Sequence, residues 1–326
     1  MEQMVFVYKG GILYGSYLII TLAAAAAVCG FLSLYLRQSR TPLAGFITVP
    51  IALALSLVFS RFLHWYAYPE HYQSIWNALT DYTAGGFVLL GAFPGCILAA
   101  ALTGRMGLHC DTPEMLDCMC LPGGAAIAVG RLSAFFNASC RGEIADTLRS
   151  LPWVCPVINS VSGVMEYRLA TFLLQAFVTA VITGALAHYY RRRPAHYKNG
   201  DITLLFLLFY CAAQIVLDST RYDAIYFHRN GFISIVQVTC AVTMVSVIGI
   251  LSTRMVKKHG LIVWNLLAWS IILPLLGITG YMEYYVQRHG DKAILSYTVM
   301  TLCLAAVISI TVYIYYKEKL PKKRPD

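Results

Sequence analysis

The sequence predicts an all-α polytopic membrane protein of about nine transmembrane helices, with the N-terminus outside and the C-terminus inside. Three observations carry this. Of 326 residues, 58% are hydrophobic and only 13% charged, whereas an ordinary soluble domain carries about 25% charged residues. The apolar residues collect in runs close to the ~20 that a helix needs to cross a ~30 Å hydrocarbon core. Lysine and arginine gather in alternate connections, the asymmetry that marks cytoplasmic loops.

In order, the runs are Gly11 to Tyr35, Gly45 to Ser60, Gly85 to Thr103, Leu116 to Asn137, Thr171 to Tyr190, Ile202 to Leu217, Gly231 to Ser252, Leu261 to Tyr281 and Ile294 to Tyr316. The alanine tract Ala23 to Ala27 in the first run reads as small residues for close helix packing. Val28 and Cys29 after it imitate a processing site. Only Glu2 and Lys9 precede the run, so no charged leader region opens it and a cleaved signal peptide is not expected.

Two connections are long. Arg61 to Ala84 holds Phe62, His64, Trp65, Tyr66, Tyr68, His71, Tyr72 and Trp76, the composition of a stretch lying at a membrane interface. Ala138 to Arg168 carries Arg141, Glu143, Asp146, Arg149 and Glu166 and is expected to stand in water as a small cap. Alternate loops place 15 of the 25 lysines and arginines on one side, among them Arg191 to Arg193, Lys257, Lys258 and the tail from Lys317. That side is assigned to the cytoplasm, and the basic tail to anionic headgroups. The net charge of +9 is thereby a topology signal and points to no nucleic acid.

Cys29, Cys96, Cys211, Cys240 and Cys303 sit inside apolar runs, where free cysteine is a small buried hydrophobe. Cys140 and Cys155 share one outward loop, where an oxidising compartment permits a disulfide. His109, Cys110, Cys118 and Cys120 lack the spacing of a zinc site. No metal or other cofactor is expected. No internal repeat is visible, which removes the inverted-repeat signature of many transporters.

Arg131 is the residue that asks for chemistry. An arginine in an apolar run costs about 2.5 to 3.5 kcal/mol at a span centre and usually faces a cavity or a partner; the alternative is an arginine that snorkels to the headgroups. It follows Gly123, Gly124 and Gly130 and precedes Asn137 and Gly142.

The stretch Gly130 to Gly142 resembles the signature G-R-x-G-N-F-x-N-x-E-x-x-G of prolipoprotein diacylglyceryl transferases. Gly130, Arg131, Phe135, Asn137 and Gly142 match; Ser133, Ala134 and Ser139 stand where the family has Gly, Asn and Glu. Tyr14-Gly15 is similar to the family's Y-G element. Gly85-Gly86 with Gly91 and Gly95 is similar to G-G-x-x-x-H-G-G-x-x-G, with Leu90 at the histidine position. Asp218, Arg221 and Asp223 resemble E-x-x-R-x-P-D, and Gly231 to Gln237 resembles G-x-x-S-x-x-Q. The resemblance implies a seven-span transferase-like domain over residues 1–255, to which residues 256–326 add two spans and a basic tail.

It further implies a transferase of a bacterial cytoplasmic membrane, moving a diacylglyceryl group from phosphatidylglycerol to the lipobox cysteine of a prolipoprotein signal peptide on the outer side. Arginine suits a phosphodiester because its planar fork binds bidentately. Arg131 and Arg221 are therefore the expected catalytic cations and Tyr14 a third catalytic candidate. Asn137, Gly142, Gly130, Gly86, Asp218 and Gln237 are the expected substrate-binding residues. The attacking thiol must lose a proton, and Tyr14, Asp218, Asp223 and Glu143 are the candidate bases. The replaced family positions leave open a lipid-binding protein or a transferase with another acceptor, and the arginines also fit a pathway for an anionic solute.

Overall fold

The computed structural model describes residues 5–8, 11–38, 41–80, 86–106, 108, 110–136, 140–145, 150–158, 163–192, 197–226, 232–289 and 292–321. Eight of its helices are long and apolar enough to cross a membrane, and a ninth apolar stretch, Leu89–Arg105, is shorter. The chain is thus an all-α polytopic membrane protein. It forms two compact units, Met1–His188 with Thr220–Ile225, and Tyr189–Ser219 with Tyr226–Asp326.

The first unit opens with a hairpin. Val5–Tyr8 (β1) pairs antiparallel with Gly11–Tyr14 (β2), so the beginning of the first apolar run is strand, and helix α1 starts at Gly15 and ends at Gln38. Helix α2, Pro42–Ala67, is longer than its run: it continues through Arg61 because that guanidinium is satisfied inside the protein. Arg61 is fully buried; its Nε donates to the Ala78 carbonyl at 2.7 Å and its Nη1 to the Gly86 carbonyl at 3.1 Å. The rings of Tyr72 and Phe87 each lie 5.2 Å from it. The aromatic segment expected along the interface therefore folds around a buried cation, with a 3-10 turn at Pro69–His71 and a short helix, α3, at Ile75–Thr80.

The third apolar run departs most from a full span. Gly91, Pro94 and Gly95 favour helix poorly, and the segment becomes a 3-10 turn, Leu89–Gly91, followed by the 14-residue helix α4, Ala92–Arg105. Its glycines serve packing. A Cβ added at Gly91 or Gly95 would lie 2.5 Å from the backbone of Ser60 or Ser56, so α4 meets α2 backbone to backbone, as small residues four apart allow. Helix α5, Thr112–Arg131, packs along α1, with Phe31, Tyr35, Ala44, Met115 and Cys118 in the core.

The loop after α5 is a β-cap. Val154–Ile158 (β3) pairs antiparallel with Met165–Leu169 (β4), and isolated bridges join Gly142 to Arg221 and Ile144 to Arg168. Helix α6, Thr171–Arg192, follows at once.

The second unit holds α7 (Asp201–Ser219), α8 (Ile235–His259), α9 (Ile262–Arg288) and α10 (Ala293–Lys319). Helix α8 begins with a reciprocal capping box: Ser234 Oγ accepts the Gln237 N–H at 3.1 Å, and the Gln237 side chain accepts the Ser234 N–H at 2.9 Å, satisfying two otherwise orphaned donors. Gly260 in the left-handed region ends it. At the basic ends of these helices the buried Asp201 carboxylate meets Lys319 at 2.5 Å and Arg254 at 3.6 Å, and also accepts the Tyr315 hydroxyl at 3.0 Å.

Candidate functional site

Arg131 is the last residue of α5, and the chain behind it turns through a 3-10 segment, Leu132–Phe136. That turn buries Ser133 and Ala134 and leaves the arginine beside a cavity of about 340 Å³. Ala23 and Ala24 of α1, Ile127 and Gly130 of α5, Leu89 and Cys140 complete much of its lining. The volume lies in the usual range for a ligand pocket. Its walls are apolar apart from the Arg131 guanidinium, Ser133 and the Cys140 thiol, a combination suited to an amphiphile with an anionic group.

A line of hydrogen bonds runs from Arg131 to Arg221. Arg131 Nη1 donates to Cys140 Sγ at 3.6 Å. The Cys140 N–H donates to Asp223 Oδ2 at 2.9 Å. Asp223 Oδ1 accepts Arg221 Nε at 3.0 Å, and the Asp223 carbonyl accepts Arg221 Nη2 at 3.3 Å. Cys140 has φ of 55°, a left-handed conformation uncommon outside glycine and asparagine, and the Asp223 carboxylate secures its backbone donor there. The two arginines expected to act together are thereby linked through Cys140 and Asp223, Arg131 at the Cys140 thiol and Arg221 at the Asp223 carboxylate.

Backbone pairing holds the line in place. Gly142 bridges Arg221, its N–H donates to the Leu169 carbonyl at 2.7 Å, and the Tyr222 N–H donates to the Arg141 carbonyl at 3.1 Å. Only glycine fits at 142. An added Cβ would lie 2.8 Å from Leu169 Cβ and Thr171 Oγ1 and 2.9 Å from the Thr220 carbonyl. Gly130 differs, with no atom within 4 Å of an added Cβ; it borders the cavity.

Two further cations brace the cap. Arg141, expected in water as part of the cap, is instead 1% exposed, with Nη2 donating to the Ala134 carbonyl at 3.0 Å and the guanidinium 4.4 Å over the Phe172 ring. Burial pulls its pKa below the ordinary arginine value. Arg168 pairs with Glu166 at 2.6 Å and lies 4.4 Å over the Tyr222 ring. Phe172 supplies the apolar surface that makes Arg141 a bolt rather than a solvated charge, and composition alone gives no sign of it.

The remaining expected residues are distributed. Asn137, Gly85 and Ser139 lie outside the described residues, and of Tyr14 only the strand backbone is described. Gly86 has φ of +81° and faces the His64 ring, and the His64 Nδ1 and Tyr72 hydroxyl are 2.8 Å apart. Leu90 is buried. Asp218 and Gln237 belong to the second unit. There the Asp218 carboxylate accepts the Ser234 hydroxyl, and Gln237 Nε2 donates to the Ile215 carbonyl at 3.2 Å, contacts that tie α7 to the start of α8. Cys140 packs against a cluster containing Cys155, and both are free thiols. Among the described residues no group of three metal-ligating side chains converges.

A family model described as prolipoprotein diacylglyceryl transferase matches residues 6–253. The chain is similar to the phosphatidylglycerol–prolipoprotein diacylglyceryl transferase of Streptococcus suis (strain 05ZYH33), 26% identical over 178 residues, which are 54% of this chain and 65% of that relative. It is also similar to the protein of the same name from Streptococcus pyogenes serotype M3, 24% identical over 210 residues, covering 60% of this chain and 76% of the relative. The match thus spans slightly under two thirds of the Streptococcus suis protein's length.

Proposed function

The chain belongs to the prolipoprotein diacylglyceryl transferase family, and from that premise we propose that it transfers a diacylglyceryl group from phosphatidylglycerol to the lipobox cysteine thiol of a prolipoprotein, at the outer side of a bacterial cytoplasmic membrane. Residues 1–255 form the transferase-like part in this reading, and the signal peptide of the acceptor is the protein partner. The observation that carries it is the hydrogen-bonded line from Arg131 through Cys140 and Asp223 to Arg221, beside a largely apolar cavity.

The chemistry follows from the donor's leaving group. The substrate thiolate attacks the glycerol carbon that bears the phosphate ester; the C–S bond forms as the C–O bond breaks, and glycerol phosphate departs with the electron pair. Negative charge grows on the departing phosphate oxygen, and fixed guanidinium donors interact more strongly with it there than in the ground state. Arg131, at the cavity wall, holds the phosphodiester; Arg221, aligned by Asp223, is the second cation. Asp223 is committed to Arg221 and the Cys140 N–H, which makes it a positioning residue rather than the base that takes the thiol proton.

The experiment is complementation. A bacterium depleted of its own diacylglyceryl transferase expresses this chain or its Arg131→Ala variant, and lipidation of a reporter prolipoprotein is followed by gel shift. Rescue by the parent and loss in a well-inserted variant is the expected pair of results. Failure of a well-inserted parent favours the second reading, a relative that binds lipid or modifies another acceptor. Leu90, Ala134 and Ser139, standing where the family signature has His, Asn and Glu, motivate that reading.

A further inference from the structure

The two C-terminal helices contain a groove for which the transfer reaction has no use. Trp264, Leu267 and Ile271 recur at helical spacing on α9, and Ile310, Tyr313 and Lys317 do so on α10; together they line a cavity of about 460 Å³, large enough for part of a lipid. Its lining is mostly apolar up to Lys317, in the last turn of α10; the Ser309 hydroxyl is spent on the Ala305 carbonyl at 2.8 Å. There the ammonium lies 5.3 Å over the Tyr313 ring, and Tyr313 stands 6.0 Å from Trp264. Trp264 is 57% exposed and Tyr313 43%. Amphipathic rings beside a lysine are the composition of the headgroup level of a membrane.

The charge at that level is selective. Lys319 is committed to Asp201 at 2.5 Å, and Lys198 to Glu318, whereas Lys317 pairs with no carboxylate among the described residues. From Lys317 to Ile310 the groove runs about 10 Å at 1.5 Å per residue, most of the ~15 Å depth of one leaflet's hydrocarbon. A trough of that length, with Lys317 the one cation in its lining among the described residues, matches one molecule that has an apolar chain and an anionic head.

We propose that the α9–α10 groove seats one anionic phospholipid, with an acyl chain along Leu267, Ile271 and Ile310 and its phosphate against Lys317. The Lys/Arg distribution assigns this end to the cytoplasmic leaflet, and Lys257 and Lys258 in the last turn of α8 add to the attraction. The proposal does not depend on the transfer reaction.

The test uses Trp264 as reporter in the full chain, with Trp65, Trp76, Trp153 and Trp269 replaced by Phe. Reconstituted in phosphatidylcholine vesicles, the protein is titrated with phosphatidylglycerol or phosphatidylcholine brominated on the acyl chain. Phosphatidylglycerol reaches half-quenching at about fivefold lower mole fraction, the effect of one basic residue near the surface; Lys317→Gln removes the preference and Lys317→Arg keeps it. Equal quenching by the two lipids, or a preference untouched by Lys317→Gln, overturns the site and leaves ordinary annular lipid. Should the Phe replacements prevent insertion, native mass spectrometry of the otherwise unaltered chain and its Lys317→Gln variant decides: lysine-dependent retention of phosphatidylglycerol supports the site, and equal retention by both chains overturns it.

Discussion

The Asp223 carboxylate accepts the backbone N–H of Cys140 at 2.9 Å while its other oxygen holds Arg221 at 3.0 Å. One side chain thus fixes a left-handed residue and aims a guanidinium. Asp223→Asn keeps an oxygen for the Cys140 N–H and removes the charge that orients Arg221. Because misplacing a group by ~1 Å costs roughly 100-fold, we expect reporter lipidation to fall by about that factor with unchanged protein level. Parental activity in Asp223→Asn would show that Arg221 needs no such alignment.

Arg131 and Arg221 separate charge from shape. Removing one donor that meets developing charge lowers turnover by about 10²- to 10³-fold, the loss expected for Arg131→Ala. Lysine restores the charge but not the planar fork, so Arg131→Lys should fall between parent and alanine when lipidation is timed in membranes. If lysine performs as well as arginine, bidentate recognition of the phosphate is wrong.

Gly142 and Gly130 bracket the same motif but face different surroundings. Alanine at 142 drives its Cβ into Leu169, Thr171 and the Thr220 carbonyl, none more than 2.9 Å away, whereas alanine at 130 meets nothing within 4 Å. Overpacking costs about 1 to 3 kcal/mol. Thermal unfolding in detergent should register a clear loss for Gly142→Ala and essentially none for Gly130→Ala. Any effect of the latter belongs in lipid affinity, because Gly130 borders the cavity.

What could be read from the sequence follows what composition encodes. Long apolar runs announce helices because lipid leaves the backbone no other partner, and Arg131 announces itself because a cation there is costly. The fourth run forms a full helix despite Gly123, Gly124 and Gly130, while the third, with Gly91, Pro94 and Gly95, yields only the shorter α4. Arg61 and Arg141 were hidden for another reason. Each looks like a loop charge until tertiary structure brings Ala78 and Gly86 to one, and Ala134 and Phe172 to the other. Asp223 was visible only as one of several candidate bases, because its role depends on Cys140, 83 residues earlier in the chain. Gln237 was legible as part of a motif, but its capping-box geometry explains that spacing through helix initiation in the second unit.

The buried charge network of that unit makes a last prediction that does not involve catalysis. Asp201 is fully buried and gathers Lys319, Arg254 and Tyr315, so it ties α10 to α7 and α8 at their basic ends. Asp201→Asn removes the only acid among these partners and strands the buried Lys319 ammonium with the nearby Glu318 at 3.3 Å as its remaining counter-charge. Breaking a buried pair costs about 3 to 5 kcal/mol, and retention of the Glu318 contact puts the expected loss at the lower end. Lys198→Met removes a partner whose side chain is 52% exposed, and Glu318 keeps Lys319, so less than about 1 kcal/mol should be lost. Detergent-solubilised protein heated under identical conditions should therefore unfold several degrees lower for Asp201→Asn and close to the parent for Lys198→Met. Equal shifts would mean that the exposed Lys198 holds the last helix in place as firmly as the buried Asp201 does.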